Sequence, residues 1–172
     1  MVIRKPLMFS TVSLIALVAA ISVAPKTAVA QDLGIEVGAK APVVTVQSLD
    51  GKPVDLGKYI GKTPMLIEFW ATWCANCREL MPALLDAEKK YGKKVKFVAL
   101  AVAINQSPER VRRFLAAHPM PHDFFYDVDG KAAGAFDAPA TSYVVVLDKA
   151  GRVVYTGLGG TQNLEAALKK AL

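Results

Sequence analysis

Cysteine and histidine are scarce in this chain: its 172 residues hold two of each. Two cysteines cannot build a disulfide-dense scaffold or a four-cysteine zinc site. Long basic blocks are also missing; the densest pairs are Lys89-Lys90 and Lys93-Lys94. There is no Gly-rich phosphate loop, no serine triad and no paired-carboxylate hydrolase arrangement. Low-complexity tracts are absent as well. With 53% hydrophobic and 21% charged residues, the chain can bury a core, which excludes a wholly disordered protein. Its length fits one domain.

Lys and Arg outnumber Asp and Glu by 21 to 15, a formal charge of +6. Such an excess ordinarily points to nucleic acid or anionic membrane. Here it is unevenly placed. Arg4 and Lys5 precede Leu7 to Ala24, eighteen residues without a charge, then Pro25 and Ala28-Val29-Ala30. A basic start, an apolar stretch and a small-x-small site read as a signal peptide over residues 1–30, cut before Gln31. An uncleaved membrane anchor is the alternative, because eighteen residues approach the length of a span. The expected location is periplasmic or otherwise exported. Arg4, Lys5 and Lys26 fall in the leader with no acid, so residues 31–172 keep 18 basic and 15 acidic residues. That is an ordinary surface, and a nucleic-acid partner is not expected.

Residues 31–172 read as one domain. Val43 to Gln47 and Lys52 to Leu56 flank Asp50-Gly51, a hairpin turn signal. The apolar run Met65 to Ala71 predicts a strand covered on both faces. A helix over 75–91 follows, stopped by Gly92, then a buried strand from Val95 to Ile104. Ser107-Pro108-Glu109 starts a helix to about Ala117, with Ser107 as cap and Pro108 in the first turn. Tyr126 to Phe136 reads as a loop and a short helix. Tyr143 to Leu147 and Arg152 to Thr156 form a second hairpin, Gly157 to Gly160 break the chain, and Gln162 to Leu172 close it as a helix. This order implies an α/β fold with a mixed sheet and helices on both faces.

Cys74-Ala75-Asn76-Cys77 lies where a buried strand hands over to a helix. Unpaired N–H groups and the positive end of the helix dipole stabilise a thiolate there. Cys77 is three residues on, on the same helical face, within reach of a disulfide. The expected chemistry is exchange: the Cys74 thiolate attacks a partner disulfide, and Cys77 resolves the mixed disulfide. A purely structural bond would close a tiny loop and remove little chain entropy.

Metal is the competing use of these sulfurs. His118 and His122 complete a formal C-x2-C…H-x3-H pattern, but 40 residues separate Cys77 from His118, far beyond a zinc-finger spacing. Copper suits the donor set Cys74, Cys77, Met120 and the two histidines better, if folding were to gather them. A copper-binding metallochaperone is therefore the alternative function.

The segment Glu68-Phe69-Trp70-Ala71-Thr72-Trp73-Cys74-Ala75-Asn76-Cys77 resembles the active-site segment of thioredoxin-fold proteins. With the preceding hairpin and the leader, the chain is similar to exported TlpA/ResA-type thiol-disulfide oxidoreductases over about residues 36–160. The resemblance implies a thioredoxin-like three-layer α/β/α fold with an added N-terminal β-hairpin. It implies Cys74 as the exposed nucleophile, Cys77 as the resolving cysteine and Glu68 as the buried acid beneath them. A carboxyl in the run Met65 to Ala71 should have a raised pKa, and could then move a proton to or from Cys77. Pro82 matches the proline that bends the first active-site helix. Trp73 is expected to shield the disulfide, and Trp73, Ala75, Asn76, Thr141 and Ser142 to meet the partner. No cofactor beyond the Cys74–Cys77 disulfide and no resident metal are implied. The implied partners are protein disulfides, as in cytochrome c maturation or oxidase assembly, and a membrane thiol carrier; a monomer is expected. One departure stands out. The family carries a cis-proline at the head of the strand that is Tyr143 to Leu147 here; counting without gaps puts Ser142 there, and Pro139 only with a three-residue shift. A non-proline bond there should be trans. The missing proline also favours the copper alternative. Peroxidase relatives need a threonine where this chain has Ala71.

Overall fold

The computed structural model describes residues 1–2 and 33–172. The expected signal peptide lies almost wholly outside them. Among the described residues no helix is long and apolar enough to cross a membrane.

The described residues form twelve segments in chain order. The first hairpin is β1 (Thr45–Ser48) and β2 (Pro53–Asp55), with Gly51 at φ +81° in its turn, and it leads into a single 3-10 turn at Leu56–Lys58. Then come β3 (Met65–Trp70), α1 (Ala75–Tyr91), β4 (Lys96–Val102), α2 (Pro108–Ala117), β5 (Asp123–Asp127), α3 (Lys131–Ala135), β6 (Tyr143–Leu147), β7 (Val153–Leu158) and α4 (Leu164–Lys169). The strands form one sheet in the order β2-β1-β5-β4-β3-β6-β7. β3–β4 and β4–β5 pair in parallel and the remaining neighbours antiparallel, so the sheet is mixed.

Alternation along β3 explains the layers, because successive side chains point to opposite faces. Leu66 packs with Leu80 and Leu84 of α1, Phe97, Val144 and Leu168 of α4. Met65, Ile67 and Phe69 pack on the other side with Phe136, Tyr143, Val145 and Leu147. All six β3 residues are buried. Glu68 shares the Leu66 parity, so its carboxyl is delivered beneath α1. Ser107 caps α2 by accepting from Arg110 N–H, as its sequence predicts.

Four expectations need correction. Tyr126 to Phe136 is not only loop and helix, since Tyr126 and Asp127 belong to β5, which lies between β1 and β4. β5 is short and follows a Pro-rich stretch, so its local signal is weak; pairing along β4 makes it a strand. The second buried strand runs Lys96–Val102, ending before Ile104. β7 continues through Gly157 to Leu158 because β6 supplies a partner ladder. The closing helix is shorter than Gln162 to Leu172: Asn163 caps it by accepting from Ala166 N–H, and it ends at Lys169.

Candidate functional site

Cys74 is the N-cap of α1, with extended backbone (φ −76°, ψ 114°), and its Sγ accepts from Cys77 N–H at 3.0 Å. Cys74 and Cys77 are disulfide-bonded, with Cα atoms 5.3 Å apart. The resemblance implied an exposed nucleophile. In the disulfide state Cys74 is only 5% exposed, because its sulfur turns inward over the first turn of α1. Ala75 and Asn76, the first two residues of the helix, are exposed beside it. Pro82 lies inside α1.

Glu68 is 5% exposed, and burial pushes its carboxyl up to about 8. Its Oε1 and the Trp70 Nε1 have no hydrogen-bond partner. Both side chains line one small internal cavity with Ala71, Cys77, Met81 and Met120. The cavity has room for about one water. The buried acid, the resolving cysteine and an indole donor therefore share one small cavity, which the exposed Arg78 also lines. Trp70 is held there by Phe114 and Phe124, at ring-centroid distances of 5.6 and 5.4 Å.

The loop leading into Cys74 is fixed by residues the sequence did not single out. Thr72 N–H donates to Gln106 Oε1 at 2.9 Å, and the same amide donates to Val102 O at 2.6 Å. Arg110 Nε donates to Thr72 Oγ1 at 3.0 Å, and Arg78 Nη1 to Thr72 O at 3.3 Å. Trp73 Nε1 donates to Ile104 O at 2.7 Å, which holds the indole out along the surface at 40% exposure. Gln106 and Arg110 flank the start of α2, more than 30 residues from Thr72, so no local spacing links them to the site.

Ser142 directly precedes β6, and Pro139 lies three residues further out. No cis peptide occurs among the described residues. Ser142 has φ +63°, a left-handed conformation uncommon outside glycine. Its N–H donates to Phe69 O at 2.7 Å and its Oγ to Gly159 O at 3.0 Å, while its carbonyl accepts from Gln162 Nε2 and Gly159 N–H. Every polar group of Ser142 is thus spent inside the fold, contrary to its expected role in meeting a partner. Its neighbour Thr141 instead lines a groove of about 620 Å³ with Trp73, Ile104, Val128 and Pro139. Among the described residues, the three non-glycine residues with positive φ, Asn105, Asp137 and Ser142, each adjoin a residue of this groove. Backbone held in sparsely populated regions concentrates at functional surfaces.

The histidines do not join the cysteines. His122 Nδ1 is 2.7 Å from Glu88 Oε2, and His118 stacks on Phe114 at 4.4 Å. No group of three or more His, Cys, Asp and Glu side chains suited to a metal occurs among the described residues. Of the other expected copper donors, Met120 does reach the cavity beside Cys77.

The family model Redoxin matches residues 36–172. The chain belongs to the Redoxin family. Within it, the chain is 30% identical over 143 residues to the thioredoxin-like protein YneN of Bacillus subtilis, covering 80% of this chain and 82% of that one. It is 31% identical over 142 residues to the thiol-disulfide oxidoreductase ResA of Bacillus thuringiensis subsp. konkukian, with 79% of each chain covered. Among solved structures, the thioredoxin domain of a thiol-disulfide oxidoreductase from Bacteroides vulgatus superposes with a TM-score of 0.68, covering 80% of this chain and 99% of that one. At 19% identity that likeness shows the fold alone. The TlpA/ResA-like assignment and the thioredoxin-like α/β fold with its N-terminal hairpin therefore stand, and the chain is a protein thiol-disulfide oxidoreductase.

Proposed function

We propose that this oxidoreductase reduces specific protein disulfides outside the cytoplasm, in cytochrome c maturation or oxidase assembly, and is itself re-reduced by a membrane thiol carrier. The observation that carries this is the placement of Cys77 and the buried Glu68 carboxyl, whose Oε1 has no partner, on one small cavity beneath the first turn of α1, which Cys74 caps. The Cys74 thiolate attacks one sulfur of the partner disulfide, forming a mixed disulfide and releasing the partner's other sulfur as thiolate. Cys77 passes its proton to ionised Glu68, and its thiolate attacks Cys74 Sγ. The 74–77 bond forms and the partner's second thiolate leaves. Two electrons pass to the partner and Glu68 holds one proton.

The groove beside Trp73 suits an extended partner segment. Thr141 lines this groove, while Ala75 and Asn76 flank the attacking sulfur. Reduction of insulin disulfides tests the activity: the wild type should reduce them with dithiol recycling, and Cys74→Ser should not. A wild type without dithiol-dependent activity overturns the proposal. Cys77→Ser should trap the partner as a stable mixed disulfide, which identifies it. Amino-terminal sequencing of the exported protein should begin at Gln31 if the leader is cleaved.

A copper-chaperone role has one supporting observation: Met81 and Met120 line the cavity with Cys77 and supply soft donors. Copper(I) titration of the reduced protein tests it, and absence of tight binding removes it.

A further inference from the structure

Besides the cavity it shares with Cys77, Glu68 lines a second packing void, too tight to admit a water. That void is walled by Leu66, Leu84, Phe97 and Val98, all apolar, and by two ionisable side chains, Glu68 and His122. His122 precedes β5 and its side chain is 3% exposed. Its Nδ1 meets Glu88 Oε2 at 2.7 Å, and Glu88, on the last turn of α1, is 13% exposed. With Glu88 ionised, the carboxylate accepts from Nδ1–H. This fixes the tautomer and leaves Nε2 as the basic nitrogen, as a carboxylate does for any imidazole that it orients. Phe124, with its centroid 4.6 Å from the imidazole, holds the ring in place.

We propose that His122, oriented by Glu88, is the proton outlet of Glu68: the buried acid takes the Cys77 proton on one side and hands it to His122 on the other. The proposal rests on the reductase function above. That cycle leaves Glu68 protonated, and the carboxyl must shed this proton before the next turnover. Glu68 is only 5% exposed, and on its second void only one other ionisable group is present. In this step the Glu68 proton moves to His122 Nε2, giving Glu68 carboxylate and imidazolium. The imidazolium then passes its Nδ1 proton to the Glu88 carboxylate, which is 13% exposed and releases it to solvent. No electrons move in this step. Other ionisable side chains on adjoining elements have partners: Arg78 of α1 bonds to Thr72 O, Lys96 of β4 pairs with Asp123 of β5 at 2.5 Å, and His118 Nδ1 lies 3.0 Å from Phe114 O. His122 is a positioning residue for proton movement and touches neither sulfur nor substrate.

The test is stopped-flow reaction of the reduced protein with dithiobis-nitrobenzoate. A coloured thiolate is released first by Cys74 attack and again by Cys77 resolution. A single pass is timed at neutral pH, where most molecules start with protonated Glu68 and must discharge it before resolution. His122→Asn should slow the second release at least about tenfold, short of the ~100-fold expected for losing a positioned base outright, and leave the first release unchanged. Glu88→Gln keeps the hydrogen bond but removes the proton acceptor, and should slow the second release several-fold. The deficit should shrink as pH rises and Glu68 ionises unaided. An unchanged second release in both variants overturns the proposal. So does equal slowing of both releases, which marks loss of packing. If Asn at 122 prevents folding, Glu88→Gln alone decides. A wild type with no second release overturns the reductase assignment, and the outlet with it.

Discussion

Replacing Glu68 by Gln tests the buried acid directly, through stability against pH. Burial raises this carboxyl from 4.5 to about 8 in the folded chain. Between those values the folded state holds a proton that the unfolded state has lost. Stability therefore falls as pH rises through this window, with a limiting slope of ~1.4 kcal/mol per pH unit for one group. Below the unfolded value both states are protonated and the penalty vanishes; above the folded value it stops growing. From about pH 5 to about pH 7.5 the wild type should lose roughly 3 kcal/mol relative to Glu68→Gln, which cannot ionise. Urea unfolding of the disulfide form of both proteins across this range gives the difference at each pH. Other titrating groups are common to both and cancel. A difference that stays flat across the range refutes the claim that Glu68 is desolvated. A difference of opposite slope would mean that the carboxylate is stabilised by a charge or donor.

Other positions give further expectations. Ser142→Pro should destabilise by ~3 kcal/mol or more in urea unfolding. Proline cannot adopt φ +63°, and it removes the N–H that Phe69 O accepts. Gln106→Ala should cost about 1–3 kcal/mol by leaving the part-buried Thr72 N–H unpaired, and should lower kcat/KM on insulin by loosening the approach to Cys74. Trp73→Ala removes one wall of the groove. It should raise KM for a protein partner several-fold, while reaction with a small aromatic disulfide stays near the wild-type rate.

Much of the molecule was legible along the chain. The Asp50-Gly51 hairpin, the buried strand Met65–Trp70, the helix Ala75–Tyr91 and the Ser107 cap depend on turn dihedrals, alternation and capping, which act over a few residues. The cysteine pair was legible for the same reason, since a strand running into a helix places two sulfurs on one turn. β5 was not, because its five residues owe their strand state to β1 and β4, which lie far off in sequence. The loss of Ser142 as a partner contact was equally hidden. Its acceptor Phe69 is 73 residues away and becomes one only when β6 docks on β3.

By itself, the sequence determined that a cysteine pair sits at the start of a helix, after an otherwise apolar strand that carries one carboxyl. Those relations follow from periods of two and 3.6 residues and need no partner strand. Tertiary structure decided what that carboxyl meets. Sheet order and helix docking set Glu68 between Cys77 and His122, brought Gln106 and Arg110 to Thr72, and left Met120 beside the sulfurs but the histidines elsewhere. Burial and long-range contact are properties of the packed chain, and they turn two scarce cysteines into a redox pair with an acid beneath it.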